Sequence, residues 1–302
     1  MGGSDQSSGR RRTMRKQRRG DAVESRCRKP PGAVDLMTLD SPELAATYEE
    51  VSDGQFEHGK QLISDLEVRS GECVLDIGTG TGRLAAHVAT IVGPSGRVVG
   101  IDPLPLRVEI ARANPVGNFE ARVGQAEDLS QFAEATFDVV YLNSVFHWVA
   151  DKPRALAEVL RVLKPSGRVG LNCHDAARPN ESRHLVRRAL VEAGIEVDHR
   201  VVHPSFGLSS GALRALLTAA GFVSCAIDVR TLVDVFQDVD ALIAWSSSSS
   251  FGNFLVGVSA ADRAAVRNAL ARILEPKVTP QGIRLERYLL FATARKPDRV
   301  SG

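Results

Sequence analysis

Val74-Leu75-Asp76-Ile77-Gly78-Thr79-Gly80-Thr81-Gly82 decides how this chain is read. A short apolar run ends in three glycines at alternate positions, and residues 83–92 then carry apolar side chains at helical spacing. A strand, a glycine turn and a helix in that order bring a ligand close to backbone, because glycine lacks a Cβ and reaches positive φ without strain. The first turn of the following helix has unpaired N–H groups to offer. Asp102 follows Gly82 by 20 residues at the end of the next apolar run. A carboxylate placed there can accept both hydroxyls of a ribose.

A nicotinamide dinucleotide asks for the same acid, so glycine spacing decides between ligands. The dinucleotide fingerprint G-x-G-x-x-G needs its third glycine at position 83, where Arg83 stands, and glycine falls at 82 instead. Asp76 argues the same way, because an acid two residues before the glycines would sit near a pyrophosphate. A ligand with a ribose, an adenine, a cationic end and no phosphates suits it better. S-adenosylmethionine is such a ligand, and its α-ammonium can face Asp76 directly or through water.

Outward from this turn, apolar runs alternate with amphipathic stretches. Strands are predicted at 73–77, 97–101, 120–123, 137–142 and 168–172, with helices at 83–92, 104–113 and 153–163. Gly93-Pro94-Ser95-Gly96 and Lys164-Pro165-Ser166-Gly167 mark turns between them. This alternation predicts an α/β, doubly wound, mostly parallel sheet. Towards the C-terminus, a helix at 209–221 and strands at 222–228 and 285–294 bring the sheet to seven strands. Ser41-Pro42-Glu43-Leu44 opens a leading helix that runs through Tyr48, Phe56 and Leu62. Ser246–Ser250 interrupts the pattern as a loop or a helix start.

The chain has 302 residues, 25% of them charged, with a formal net charge of +2. That composition excludes a collagenous, disulfide-stapled or mostly disordered protein, and no apolar run is long enough to span a membrane. Charge is unevenly placed. Residues 1–30 hold ten Arg or Lys against three acids, which leaves the rest of the chain with a net charge of −5. Residues 1–36 are predicted to be a disordered basic tail, and 37–302 the folded domain. The tail lacks an apolar signal stretch and misses the myristoylation pattern at Gln6, while its arginines fit a mitochondrial transit peptide as an alternative. Cys27, Cys73, Cys173 and Cys225 are scattered, without metal-binding spacing. The expectation is therefore a cytoplasmic protein with reduced cysteines and no metal.

On these motifs the chain resembles the class I S-adenosylmethionine-dependent methyltransferases over roughly residues 48–175. Asp76, Gly78, Gly80 and Gly82 match the first motif of that family, and Asp102 its ribose-binding acid. Gly124-Gln125-Ala126-Glu127-Asp128-Leu129 matches the adenine loop, Phe137-Asp138-Val139-Val140 with Asn143 the fourth-strand motif, and Leu163–Arg168 the turn before strand five. The resemblance implies a Rossmann-like, seven-stranded sheet with its last strand antiparallel and a small helical cap. It implies S-adenosylmethionine held by Tyr48, Asp76, Gly78, Thr79, Gly80, Gly82, Asp102, Gln125, Ala126, Glu127 and Asn143. Gln125 departs from the pattern, since many relatives have aspartate there. Adenine N6 needs an acceptor, which the Gln125 carbonyl, Glu127 or Asp128 can supply. Tyr48 and Phe56 resemble the lid over the methionine end, and an insertion near 236–275, with Trp245, Phe251 and Phe254, resembles an acceptor roof.

In this family the acceptor sits beyond strand four, here Asn143-Ser144-Val145-Phe146-His147-Trp148. His147 is the candidate general base, with His174 as a second, and Phe146 and Trp148 flank it. The acidic body and apolar aromatics favour a small-molecule acceptor methylated on N, O, S or C. The segments around Asp102 and Asn143 resemble methyltransferases of secondary metabolism, some of which N-methylate diketopiperazine-type intermediates. Quinone C-methylation is the alternative within the family. Arsenite methylation fits less well, because Ser144 stands where those enzymes have cysteine. A nucleic-acid methyltransferase could use the basic tail, but Ser144-Val145 replaces the Pro-Pro that base amino-methyltransferases carry. A non-catalytic S-adenosylmethionine-binding partner would need the same cofactor residues.

Overall fold

The structure is a computed structural model that describes residues 1–3, 40–42, 53–114, 116–178, 180–196, 206–247, 255 and 258–298. The chain divides into Met1–Ala33 and Val34–Gly302, and the strands and helices below belong to the second unit. Tyr48, Phe251, Phe254 and nearly all of the basic tail lie outside the described residues.

Eight strands form one sheet in the order β3-β2-β1-β4-β5-β8-β6, with β7 pairing β8 off that path. They are β1 (Cys73–Ile77), β2 (Arg97–Asp102), β3 (Phe119–Val123), β4 (Phe137–Asn143), β5 (Leu163–His174), β6 (Val223–Phe236), β7 (Val278–Thr279) and β8 (Gly282–Arg295). β1 to β5 run parallel, and β8 runs antiparallel to both β5 and β6. The predicted seven-stranded sheet is present, and β7 adds a two-residue hairpin partner.

Strand parity sorts the core. Leu75, Ile77, Val140, Leu142 and Leu171 face one side, where they pack on α4 (Lys152–Val162) and α6 (Ser210–Ala219). Val74, Val98, Val139, Tyr141, Leu289 and Phe291 face the other, beneath α1 (Asp53–Asp65) and α2 (Arg83–Val92). α3 (Pro105–Arg112) covers β3 through Val108 and Ala111. α5 (Glu181–Glu192), α7 (Val239–Ser247) and α8 (Ala260–Leu274) share a third cluster with Phe236, Ile283 and Leu285.

β5 and β6 exceed their predicted lengths most, and β8 extends by four residues. β5 starts at Leu163, because Phe137 pairs Leu163 and Val139 pairs Arg168, so the Pro-Ser-Gly turn is a bulge inside the strand. Ser166 adopts φ 60° there. β6 continues to Phe236 because residues 230–236 stay in register with β8. Ser246 and Ser247 are the last two residues of α7, and the rest of the serine run lies outside the described residues.

Connections from β1 leave towards β2 and β3 on one side, and β4 lies on the other. This reversal opens a crevice at the C-terminal ends of β1 and β4, where open α/β sheets bind ligands.

Candidate functional site

Gly78, Gly80 and Gly82 all adopt left-handed φ, at 77°, 55° and 82°. Gly78 N–H and Thr79 N–H donate to the Ile101 carbonyl at 2.7 and 2.9 Å, which ties the turn to β2. A Cβ on Gly78 would lie 2.2 Å from Val145 Cγ2, whereas one on Gly80 would meet nothing within 4 Å. The middle glycine thus faces open space at the crevice. Gly82 caps α2 without a side-chain bond, so the helix N-terminus opens at the same place.

Asp102 lies at the end of β2 and clamps the turn. Its Oδ2 accepts Gly80 N–H at 2.9 Å and its Oδ1 accepts Leu104 N–H at 2.9 Å. Burial pushes its pKa up to about 6, against the two backbone bonds and the charge of Arg107, which hold it down. Each carboxylate oxygen has a second lone pair, so this clamp still leaves acceptors for ribose hydroxyls.

Asp76 pairs with Tyr141 across β1 and β4 and shares its face of the sheet. It is 2% exposed and, among the described residues, pairs with no cation. Burial pushes its pKa up to about 7. The hydroxyls of Thr79 and Tyr141 lie close enough to oppose that rise, yet neither makes a hydrogen bond of good geometry among the described residues. A buried carboxylate without a cation, flanked by two orphaned hydroxyls, suits a ligand ammonium and repels a phosphate. Binding of S-adenosylhomocysteine, an ammonium-bearing probe, is therefore expected to strengthen as pH rises through about 7. Below that point binding must first remove the Asp76 proton, at a cost of up to about tenfold in affinity per pH unit. Calorimetry across pH checks this: Asp76→Asn should remove the step near 7 and leave only that of Asp102 near 6, and a flat wild-type profile would contradict the assignment.

A cleft of about 450 Å³, open to solvent, is lined by Gln55, Phe56, Asp76, Gly78, Thr79, Gly80, Thr81, Arg83, Leu84 and Asn143. Asn143 ends β4, donates through Nδ2 to the Gln55 carbonyl at 3.0 Å and accepts from Asn172 Nδ2 at 2.7 Å. α1 is thereby fastened over the crevice. Phe56 of α1 lines the cleft. Sequence reasoning missed Gln55 and Arg83. Arg83 stacks on Phe56 at 4.4 Å and pairs with the exposed Asp53 at 2.7 Å. With Asp76 it gives the cleft an anion and a cation, the two charges of an amino acid end. Arg83→Gln should weaken S-adenosylhomocysteine binding by about 1–2 kcal/mol. Decarboxylated S-adenosylmethionine should lose far less, and equal losses for the two ligands would show that Arg83 does not read the carboxylate.

Gln125, Ala126, Glu127 and His147 are not among the residues that line this cleft. Gln125 is exposed, Ala126 is buried, and Glu127 Oε1 accepts the N–H groups of Ala150 and Asp151 at 3.1 and 3.4 Å. That oxygen of Glu127 thus braces the loop before α4, so Gln125 is the freer acceptor. His147 lies in the turn after β4, outside the cleft lining and 4% exposed. Burial, with His174, Arg183, Lys152 and Arg287 around it, holds its pKa well below the usual histidine value. The ring is neutral at pH 7 and a weak base. His147 thus stands in the turn past β4, and its surroundings do not favour taking up a proton.

The arrangement fits S-adenosylmethionine. Asp76 and Arg83 would hold its ammonium and carboxylate, Asp102 its ribose, and the Gln125–Glu127 loop its adenine. When bound, it supplies a methyl group on a positively charged sulfur. Residues 75–171 match the family described as Methyltransferase domain. A demethylmenaquinone methyltransferase of Symbiobacterium thermophilum is 36% identical over 135 residues, which cover 43% of this chain and 53% of that one. A nocamycin O-methyltransferase of Saccharothrix syringae is 30% identical over 236 residues, 71% of this chain and 82% of that one. Among solved structures, the YcgJ protein of Bacillus subtilis superposes with a TM-score of 0.56 at 21% identity, over 80% of this chain and 99% of that one. The last likeness shows the fold. The sequence likeness, sustained along most of a relative, joins the crevice chemistry in one conclusion: this chain belongs to the class I S-adenosylmethionine-dependent methyltransferases.

Proposed function

We propose that the chain methylates a small molecule of secondary metabolism, with the acceptor atom an oxygen. The observation that carries this reading is the length of the nocamycin O-methyltransferase likeness, which runs well beyond residues 75–171. The acceptor lies past the C-terminal end of β4, beside the turn of Ser144 to Trp148, and α7 and α8 supply its roof. Alignment and desolvation drive the transfer, since the donor is already activated. Quinone ring C-methylation is the second reading, favoured by the 36% identity to a demethylmenaquinone methyltransferase. No observation favours an N-methylated diketopiperazine-type acceptor or a nucleic acid over these.

Labelled S-adenosylmethionine incubated with cell extract tests the reading. Label in a solvent-extractable small molecule supports it, and label confined to nucleic acid or protein contradicts it. His147→Ala is expected to raise KM while lowering kcat less than about tenfold, because a general base would contribute about 10²–10⁴. A kcat loss in that larger range, with S-adenosylhomocysteine affinity kept, would restore His147 as the base.

A further inference from the structure

A second polar cluster stands at the C-terminal ends of β4 and β5, beside the cleft but not lining it. The His147 ring is 4.5 Å from that of His174 and 4.7 Å from that of Trp148. His147 Nδ1 is buried and has no hydrogen-bond partner among the described residues. The charged groups acting on this ring are Arg183 of α5, Lys152 of α4 and Arg287 of β8, all cations. Arg183 lies over Trp148 at 5.2 Å. Arg287 is held by Asp234 at 2.6 and 3.0 Å and acts on His58 of α1, whose Nδ1 is also buried without a partner.

Lys152 is 6% exposed and forms no ion pair among the described residues. Its ammonium donates to the Val149 carbonyl at 2.7 Å and lies over Phe146 and Phe206 at 5.4 and 5.2 Å. Glu127 acts on it from beyond ion-pair distance, with one oxygen engaged by Ala150 and Asp151. Charged groups are almost never this buried without an opposite charge beside them. The cluster adjoins the reaction site: Asn172, two residues before His174 on the same face of β5, hydrogen-bonds Asn143 of the cleft.

We propose that the acceptor is an oxygen acid, a carboxylate or an acidic enol bound as its anion, seated against His147 and Lys152. This rests on the methyltransferase reading of the cleft and names the acceptor class for it. A neutral alcohol or a ring carbon must lose a proton, which calls for a base. His147 among cations serves poorly as one. An anion needs none. A lone pair on the acceptor oxygen forms the new O–CH₃ bond as the S–CH₃ bond breaks, and the electron pair of that bond stays on sulfur. The positive charge on sulfur and the negative charge on oxygen disappear together, and no proton moves. Surrounding cations keep the acid ionised, and the neutral imidazoles of His147 and His174 each have one N–H to donate.

Calorimetry on the full chain saturated with S-adenosylhomocysteine tests this, using acetate against acetamide, benzoate against benzamide, and 4-hydroxycoumarin against its methyl ether. At least one acid should bind about tenfold more tightly than its neutral partner, and the pair that responds separates carboxylate from enol. Lys152→Met should weaken that acid about tenfold, and Lys152→Arg should restore it. Neutral partners binding as well as the acids, no acid binding, or an acid indifferent to Lys152→Met would overturn the proposal. S-adenosylhomocysteine titrated into each protein first keeps the two readings apart. If wild type does not bind it, the cofactor assignment fails; if it binds and the acids do not, only the acceptor class fails. In the labelled extract, release of label as methanol by mild alkali marks a methyl ester and release by acid an enol ether. A methyl resistant to both would overturn the proposal as well.

Discussion

Asp102→Asn is expected to weaken S-adenosylhomocysteine binding by about 2–4 kcal/mol, the scale of losing charge-assisted hydrogen bonds at a buried site. The native carboxylate accepts Gly80 N–H on one oxygen and Leu104 N–H on the other. An amide has one acceptor oxygen, so its NH₂ group must face one of those donors and leave it unsatisfied. The ribose hydroxyls lose acceptors in the same change. Two contributions therefore fall together, the clamp on the glycine turn and the ligand contact, and thermal melting without ligand separates them. Loss of affinity with a nearly unchanged Tm assigns the effect to the ribose, and a large fall in Tm assigns it to the clamp. Affinity unchanged from wild type would contradict both roles.

Gly78→Ala is expected to destabilise the fold by about 2–5 kcal/mol, from left-handed strain of about 1–2 and overpacking of about 1–3 kcal/mol. The new Cβ would stand 2.2 Å from Val145 Cγ2, in the turn that follows β4. Gly80→Ala supplies the contrast. Its Cβ would meet nothing within 4 Å, so only the strain of a φ near 55° opposes it. That variant should fold with a loss of about 1–2 kcal/mol. It should still bind S-adenosylhomocysteine poorly, because the methyl projects into the cleft. Urea denaturation and calorimetry on the two variants check the pair, and equal stability losses would contradict the described packing.

Much of the fold was legible because its parallel half is built from short local units. β1 and α2 were predicted residue for residue, since Cys73–Ile77 is apolar except for Asp76 and Arg83–Val92 keeps one apolar face between a glycine turn and Gly93. The errors fell where pairing overrides local signals. Pro165-Ser166-Gly167 reads as a turn in any sequence, yet here it bulges within β5 because Leu163 still pairs with Phe137. Residues 230–236 have no buried run of their own, and β8 holds them in the sheet.

The site divides in the same way. Asp76, the glycines and Asp102 follow from one motif and its spacing. Gln55 and Arg83 could not be found by that route, because Asn143 meets Gln55 across 88 positions of sequence. Arg83 did leave a trace: it was the residue that broke the dinucleotide fingerprint, and it proves to line the cleft. The weak basicity of His147 was illegible too, because Arg183, Lys152 and Arg287 come to it from three separate elements.

The crevice at β1 and β4 takes a nucleoside that carries an amino acid and rejects a dinucleotide. Titration calorimetry of the full chain with S-adenosylhomocysteine, and separately with NAD, tests it most directly. Saturable one-to-one binding of S-adenosylhomocysteine and no heat with NAD are expected. Binding of NAD, or no binding of S-adenosylhomocysteine by a folded chain, would contradict it.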